Sequence, residues 1–418
     1  MAKGTAWAIF SFCPVKLALM MRAKLLGQEI LLLRLNRPCS VSSGHWSLRG
    51  LVSSILWQCV IVIFPNPGHP TRLIFQKKDL SVKKTILGFQ PGIANLQVAD
   101  FETPPLGAND VLIKIQAVSF NYRDLEIING IYSEAFQPGL VPFSDGAGEV
   151  IEVGEGVSLL QPGDRVVTSF WQSWASGELK YARSPKALGG HRDGVLSDYT
   201  VLDESGLVKI PDEISLAEAA TFPCAGVTAW QALVVKGQIK AGEWVLIQGT
   251  GGVSTFALQI AKMHGARTIL LSSSDKKRAS MEKMGADHTI NYIDCPDWET
   301  AVRDFTNGIG VDHVVETGGP STFEKSLKSI RMGGQVYVIG YKGGKGGDIN
   351  PLLILANQAE VKAIGVGPTS SLTQILNAYQ ALRQPPVVDK IYDWGDFAEA
   401  LEYFSTGEHI GKVVIEKR

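Results

Sequence analysis

The chain lacks the cysteine pattern of a disulfide-stapled or metal-clamped protein. Its five cysteines are Cys13, Cys39, Cys59, Cys224 and Cys295, with no Cys-x-x-Cys pair and no Cys/His cluster at metal spacing. This argues against a disulfide framework and a structural zinc lobe, and it makes a reducing, cytoplasmic setting the expectation. An excess of charge is also missing. Forty basic residues against 41 acidic ones leave a net charge of −1, so nothing draws the chain to nucleic acid or an anionic membrane. A small molecule is the expected partner. Aromatics reach only 8%.

Acid is scarce in the first 75 residues, where Glu29 stands alone against Lys3, Lys16, Arg22, Lys24, Arg34, Arg37, Arg49 and Arg72. That composition resembles a transit peptide, but apolar runs such as Ile30–Leu33 fit one poorly. The run Leu51–Phe64 has 14 residues, short of the roughly 20 that cross a bilayer. Residues 1–75 are therefore expected to be an atypical extension, non-native or poorly ordered, with targeting or membrane association as the alternatives.

What is abundant is glycine, 44 residues of 418, within a chain too long for one compact core. Two domains are expected, one of them possible as a sequence-split unit. From Leu80 onward Val111–Phe120 and Glu149–Val157 read as strands between Gly/Pro turns, and Gln161–Val166 is a turn entering another. Beyond Pro211 the rhythm becomes strand, helix, strand, helix.

The stretch Gln248–Ala266, QGTGGVSTFALQIAKMHGA, follows the short apolar strand Glu243–Gln248 and opens a helix with Phe256, Ile260 and Met263 on one face. The turn Gly249, Thr250, Gly251, Gly252, Val253 thus lies between strand and helix. There glycines let the backbone approach a pyrophosphate, and the helix N-terminus holds its charge. Ser254 replaces a third glycine that serves only helix–strand packing. Further strands are read at Thr268–Ser274, His288–Tyr292, Val311–Gly319, Gly334–Gly340 and Val361–Gly367. Together they make an α/β fold with a Rossmann-type, doubly wound parallel sheet of six strands beside a β-rich domain.

Cofactor choice is read at the end of the second strand, where an acid would hold the ribose 2′-hydroxyl of NAD. Here the chain reads Ser272, Ser273, Ser274, Asp275, Lys276, Lys277, Arg278. Small hydroxyls and cations suit a 2′-phosphate, so NADP(H) is favoured; the alternative is that the cations form a solvated helix face. Asp275 reads as a first-turn acid on a helix capped by Ser274.

From about Lys84 to the C-terminus the chain resembles the medium-chain dehydrogenase/reductase superfamily, specifically its zinc-independent branch of quinone oxidoreductases and zinc-type alcohol dehydrogenase-like proteins. The resemblance is carried by Asn121–Tyr132, Pro142–Val157, Pro162–Val166, Phe222–Leu233, Gly249–Ser254, Gly285–Tyr292 and Gly411–Ile415. It implies a GroES-like catalytic domain over 76–212, a Rossmann domain over 213–367, a C-terminal segment 368–418 returning to the catalytic domain, and a site in the cleft. It also implies that zinc ligands have been lost. Asn121 stands at the first Cys position, Ser144 at the His and Asp145 at the Glu; Cys224 alone remains, and it reads more simply as a small buried residue. No metal is expected.

The resemblance places Lys277 and Tyr292 on a 2′-phosphate and Thr228 beside a nicotinamide. Gly340 and Tyr341 follow the fifth strand, where the chain should pass the nicotinamide, and Lys412 could reach the pyrophosphate or be a surface lysine. Without zinc, hydrogen-bond donors must stabilise a developing oxyanion. The candidates are Asn121, Tyr122 and Arg123, with Asp124 as an orienting carboxylate; the alternative for this run is a plain helix cap. The expected activity is NADPH-dependent, zinc-independent hydride transfer to or from a small carbonyl, enone, quinone or alcohol, in a homodimer if it follows its relatives. The competing reading is a silent nucleotide-binding protein acting in interactions or at a membrane.

Overall fold

The computed structural model describes residues 81–132, 138–179 and 186–417, together with short backbone strands between residues 21 and 77. The expectations for residues 1–75 as an extension, a targeting segment or a membrane segment fall outside the described side chains. The chain divides into two compact units, Met1–Val82 with Asp100–Pro105, and Lys83–Ala99 with Leu106–Arg418. In the first, the strands Met21–Leu25, Gln28–Leu33, Trp57–Val62 and Arg72–Lys77 form an antiparallel sheet in that order. Among the described residues no helix is long and apolar enough to cross a membrane.

The second unit contains both large sheets. A seven-stranded sheet is centred on Asp110–Ser119, which pairs antiparallel with Asp145–Val153, Tyr199–Asp203 and Lys412–Glu416. Its central strand is buried along nearly its whole length because other strands and helices cover both faces. The last strand of the chain enters here, with Val414 opposite Ser119.

The six parallel strands follow in chain order: β1 (Trp244–Gln248), β2 (Arg267–Ser272), β3 (His288–Asn291), β4 (Val311–Glu316), β5 (Ile330–Val338) and β6 (Glu360–Ala363). Their spatial order is β3-β2-β1-β4-β5-β6. The order reverses between β1 and β4, and ligands of such sheets bind in the crevice beyond the carboxyl ends at that switch point. The helix Gly252–Met263 lies against β1 with Phe256 and Ile260 buried. Ser254 donates its hydroxyl to the Gln248 carbonyl at 2.7 Å, tying helix to strand where a glycine would have allowed bare contact.

One hydrophobic core runs from the first sheet into the second, joining Ala117, Ala147 and Val414 to Ile247, Phe256 and Val315. The Phe222 ring lies 5.2 Å from Phe256 and 4.9 Å from Tyr379. Each such aromatic pair contributes about 1 kcal/mol beyond its buried area, so this junction is a fixed frame for the cleft.

Candidate active site

The phosphate turn has the geometry its glycines dictate. Gly249 sits at φ +77°, a conformation costly for a side chain, and Gly251 has nothing within 4 Å of where a Cβ would stand. That open cradle faces a helix whose first turn carries no acid, so its positive end is uncompensated. These residues fit a pyrophosphate. Thr250 is buried, and its carbonyl accepts the Gly411 N–H at 2.9 Å, while Val253 lies partly buried in the first helical turn.

At the end of β2, the buried Ser272 hydroxyl accepts the Ser274 N–H at 3.2 Å, and the Ser274 hydroxyl caps the next helix through Lys277 N at 3.4 Å. Ser273 is exposed. Tyr292 N–H donates to the Ser272 carbonyl at 3.2 Å, bringing the half-exposed Tyr292 beside the serines. Arg278 turns away toward Asp275 at 2.7 Å and the Thr289 carbonyl at 3.1 Å. Lys277 reaches the other way, donating to the carbonyls of Gly407 at 2.6 Å and His409 at 3.1 Å. Burial pulls its pKa down, and Lys342 adds to the effect. Neither Lys342 nor His409 carries a recognisable motif, and sequence reasoning missed both. The His409 ring stacks on Phe404, and its pKa falls to about 4, chiefly through burial and then through Lys277.

Beyond the carboxyl ends of β4 and β5, a Cβ on Gly340 would stand 2.7 Å from the Thr317 carbonyl, so only glycine lets the chain after β5 pass that close to the end of β4. Thr228 is buried one turn after Cys224. Tyr341 is not free to face a cofactor: its hydroxyl donates to Glu126 Oε2 at 2.7 Å, and Lys345 pairs with the same carboxylate at 2.9 Å. Glu126, buried on the helix Tyr122–Ile128, thereby joins the first sheet's domain to the loop after β5. Sequence reasoning did not find it.

The block Asn121–Asp124 opens that same helix. Asp124 accepts the Asn121 backbone N–H at 2.8 Å and pairs with Arg123 at 3.3 Å. Burial raises the Asp124 pKa to about 6 against the pull of Arg123. The Arg123 guanidinium is held against the Phe170 ring, 4.9 Å away, and also bonds the Leu188 carbonyl at 3.1 Å. Tyr122 is exposed. Lys412 is not a surface lysine. It is 2% exposed, and its ammonium donates to the Phe120 carbonyl at 2.6 Å and to Asn121 Oδ1 at 2.5 Å.

Beside it lies Asp145, fully buried, accepting from the Ser144 hydroxyl at 2.6 Å and from Cys224 N–H at 3.1 Å, with the Lys412 ammonium 3.9 Å away. Phe143, just before Ser144, holds φ +69°, an unusual conformation for a bulky residue and typical of strained functional backbone. This donor set does not fit zinc. A catalytic zinc requires about three ligands, deprotonated where they are thiols. Here Asn121 offers an amide, Ser144 spends its hydroxyl on Asp145, burial and Asp145 push the Cys224 thiol up, and an ammonium already faces Asp145.

Residues 107–212 match the alcohol dehydrogenase GroES-like domain, and residues 252–381 match the zinc-binding dehydrogenase family. A zinc-type alcohol dehydrogenase-like protein of Schizosaccharomyces pombe is 40% identical over 332 residues, 78% of this chain and 96% of its own. The chain belongs to the medium-chain dehydrogenase/reductase superfamily. It is an oxidoreductase of that superfamily, with the nicotinamide cofactor that superfamily uses. A crystal structure of an NAD-dependent alcohol dehydrogenase superposes with TM-score 0.75 and 32% identity, covering 80% of this chain and 100% of that one. The quinone oxidoreductase of Pseudomonas syringae pv. Tomato DC3000 gives TM-score 0.69 and 27% identity over 80% and 99%.

Proposed function

We propose that the protein is an NADPH-dependent, zinc-independent oxidoreductase that reduces a small carbonyl, enone or quinone, or oxidises an alcohol in reverse. The observation that carries the cofactor choice is the end of β2, where Ser272 and Ser273 replace an acid and Lys277 reaches across toward Gly407 and His409. Lys342 adds positive charge there, close enough to lower the Lys277 pKa further. An acid at this point would repel a 2′-phosphate; hydroxyls and ammonium groups attract it.

In this reading Gly249, Thr250, Gly251, Gly252 and Val253 hold the pyrophosphate, and Ser272, Ser273, Lys277 and Tyr292 hold the 2′-phosphate. Thr228 and Gly340 border the nicotinamide, which supplies the hydride when bound, while Tyr341, expected there from sequence, instead ties the loop after β5 to Glu126. The chain's own task is to hold the substrate oxygen while it gains negative charge. The buried Asn121 and the part-buried Arg123 are the donors, with Tyr122 at the exposed rim, and Asp124 fixes both the Asn121 backbone and the Arg123 fork. One well-placed donor supplies on the order of 3 kcal/mol in the transition state.

A second copy of the chain is the proposed partner, favoured by the exposed apolar Ile349, Leu352 and Leu355 in and just before the short helix Pro351–Ala356 that leads into the edge strand β6. The test of the function is turnover by the purified chain with NADPH or NADH against quinones, enones, ketones and alcohols. Light scattering on the same sample reads the oligomeric state.

A further inference from the structure

Lys412 and Asn121 are separated by 291 residues yet share a buried hydrogen bond of 2.5 Å. An ammonium donates only, so it must meet the oxygen of the amide and never the nitrogen. This contact fixes which way the Asn121 side chain is turned. Its Nδ2, carrying two donors, is buried with no hydrogen-bond partner among the described residues. Asn121 itself is 8% exposed. Asp145 is close enough for the Asn121 amide to favour its charged form, and its oxygens already accept from Ser144 and Cys224.

A buried donor without an acceptor is costly, and the cost is removed when a ligand oxygen arrives. The Lys412 stem meanwhile lies against the first residue of the nucleotide helix. A Cβ on Gly252 would stand 2.6 Å from Lys412 Cδ. The same side chain therefore touches the phosphate turn with its methylenes and the Asn121 amide with its ammonium.

We propose that Lys412 is a positioning residue for hydride transfer: its ammonium turns the Asn121 amide so that Nδ2 donates to the substrate oxygen, and its stem couples that donor to the phosphate turn. This rests on the oxidoreductase reading above and replaces the pyrophosphate contact expected for Lys412 from sequence. Asn121 is then the catalytic donor. Lys412 acts through it and touches neither substrate nor cofactor phosphate.

The test combines Lys412→Met, which keeps a long apolar stem without the charge, with Asn121→Asp, which keeps an acceptor for Lys412 and removes the donor. Each is assayed by steady-state kinetics and by NADPH binding, followed through cofactor fluorescence. The expected result is a fall of about 100-fold in kcat for each variant, with NADPH affinity within about threefold of the unaltered chain. The double variant falls no further than the worse single one, since both changes disable the same donor.

A Lys412→Met chain that loses NADPH affinity at unchanged kcat overturns the proposal in favour of a phosphate contact, and multiplying losses in the double variant overturn it as well. Should Lys412→Met fail to fold, Asn121→Asp decides alone: kcat within about twofold of the unaltered chain ends the proposal. Failure of the unaltered chain to turn over any of these substrates overturns the proposed function and this proposal with it. Turnover that survives in Asn121→Asp overturns only the latter.

Discussion

Gly411 donates its backbone N–H to the Thr250 carbonyl at 2.9 Å, and Gly411 pairs with Gly251 as an isolated parallel bridge. The strand that closes the first sheet is thereby tied directly to the phosphate turn of the second. Gly411 sits at φ +76°, and a Cβ there would stand 2.3 Å from the Val387 carbonyl. Gly411→Ala is expected to destabilise the fold by about 1–3 kcal/mol, through left-handed strain and backbone crowding.

Gly251→Ala separates folding from binding. Gly251 has an ordinary φ of −78° and open space around its missing Cβ, so stability should change by less than about 1 kcal/mol. The same methyl would fill the pyrophosphate cradle, and cofactor affinity should fall at least about tenfold. Urea melts and cofactor titration on one preparation read both quantities. Unchanged affinity would remove the turn from the cofactor site.

Lys277→Ala is expected to weaken NADPH by about tenfold or more while leaving NADH within about twofold, and to flatten the dependence of NADPH affinity on ionic strength. Equal losses for both cofactors would take Lys277 off the 2′-phosphate.

Two buried groups give opposite pH dependences. Asp124 has an ordinary pKa of 3.8 and about 6 when folded, so the folded state holds the extra proton and stability is lost as pH rises from about 4 to 6. His409 falls from 6.5 to about 4, so the unfolded state holds the extra proton and stability is lost as pH drops from about 6.5 to 4. His409→Gln should therefore gain stability relative to the unaltered chain on acidification across that window, and Asp124→Asn should gain on alkalinisation. Urea midpoints at half-unit pH steps check both signs.

Tyr341→Phe removes the bond from the Tyr341 hydroxyl to Glu126 but leaves Lys345 on that carboxylate. A cost of about 1 kcal/mol is expected, together with faster exchange of loop amides after β5. Unchanged hydrogen exchange at Gly340–Gly344 would show that Glu126 does not hold the loop.

Much of this architecture was legible because it is local. All six parallel strands were marked by β-branched runs between glycine turns, and the structure places each within a few residues of its expected bounds. Ser254 was read as a packing variant, and its bond to the Gln248 carbonyl is a packing contact. The charges that shape the cleft were not legible. Glu126 meets Tyr341 across 215 residues, and Lys412 meets Asn121 across 291. Neither pair leaves a periodic or compositional trace, because each partner alone looks like an ordinary helix or strand residue. The burial of Lys412 is hidden for the same reason: it follows from two sheets closing on one strand.

The most direct measurement is oxidation of NADPH and NADH by the purified full chain with quinones, enones and ketones, before and after dialysis against a strong chelator. The account predicts turnover with NADPH at a kcat/KM at least about tenfold above that with NADH, unchanged by the chelator. Activity abolished by chelation and restored by zinc, or equal use of the two cofactors, would contradict it.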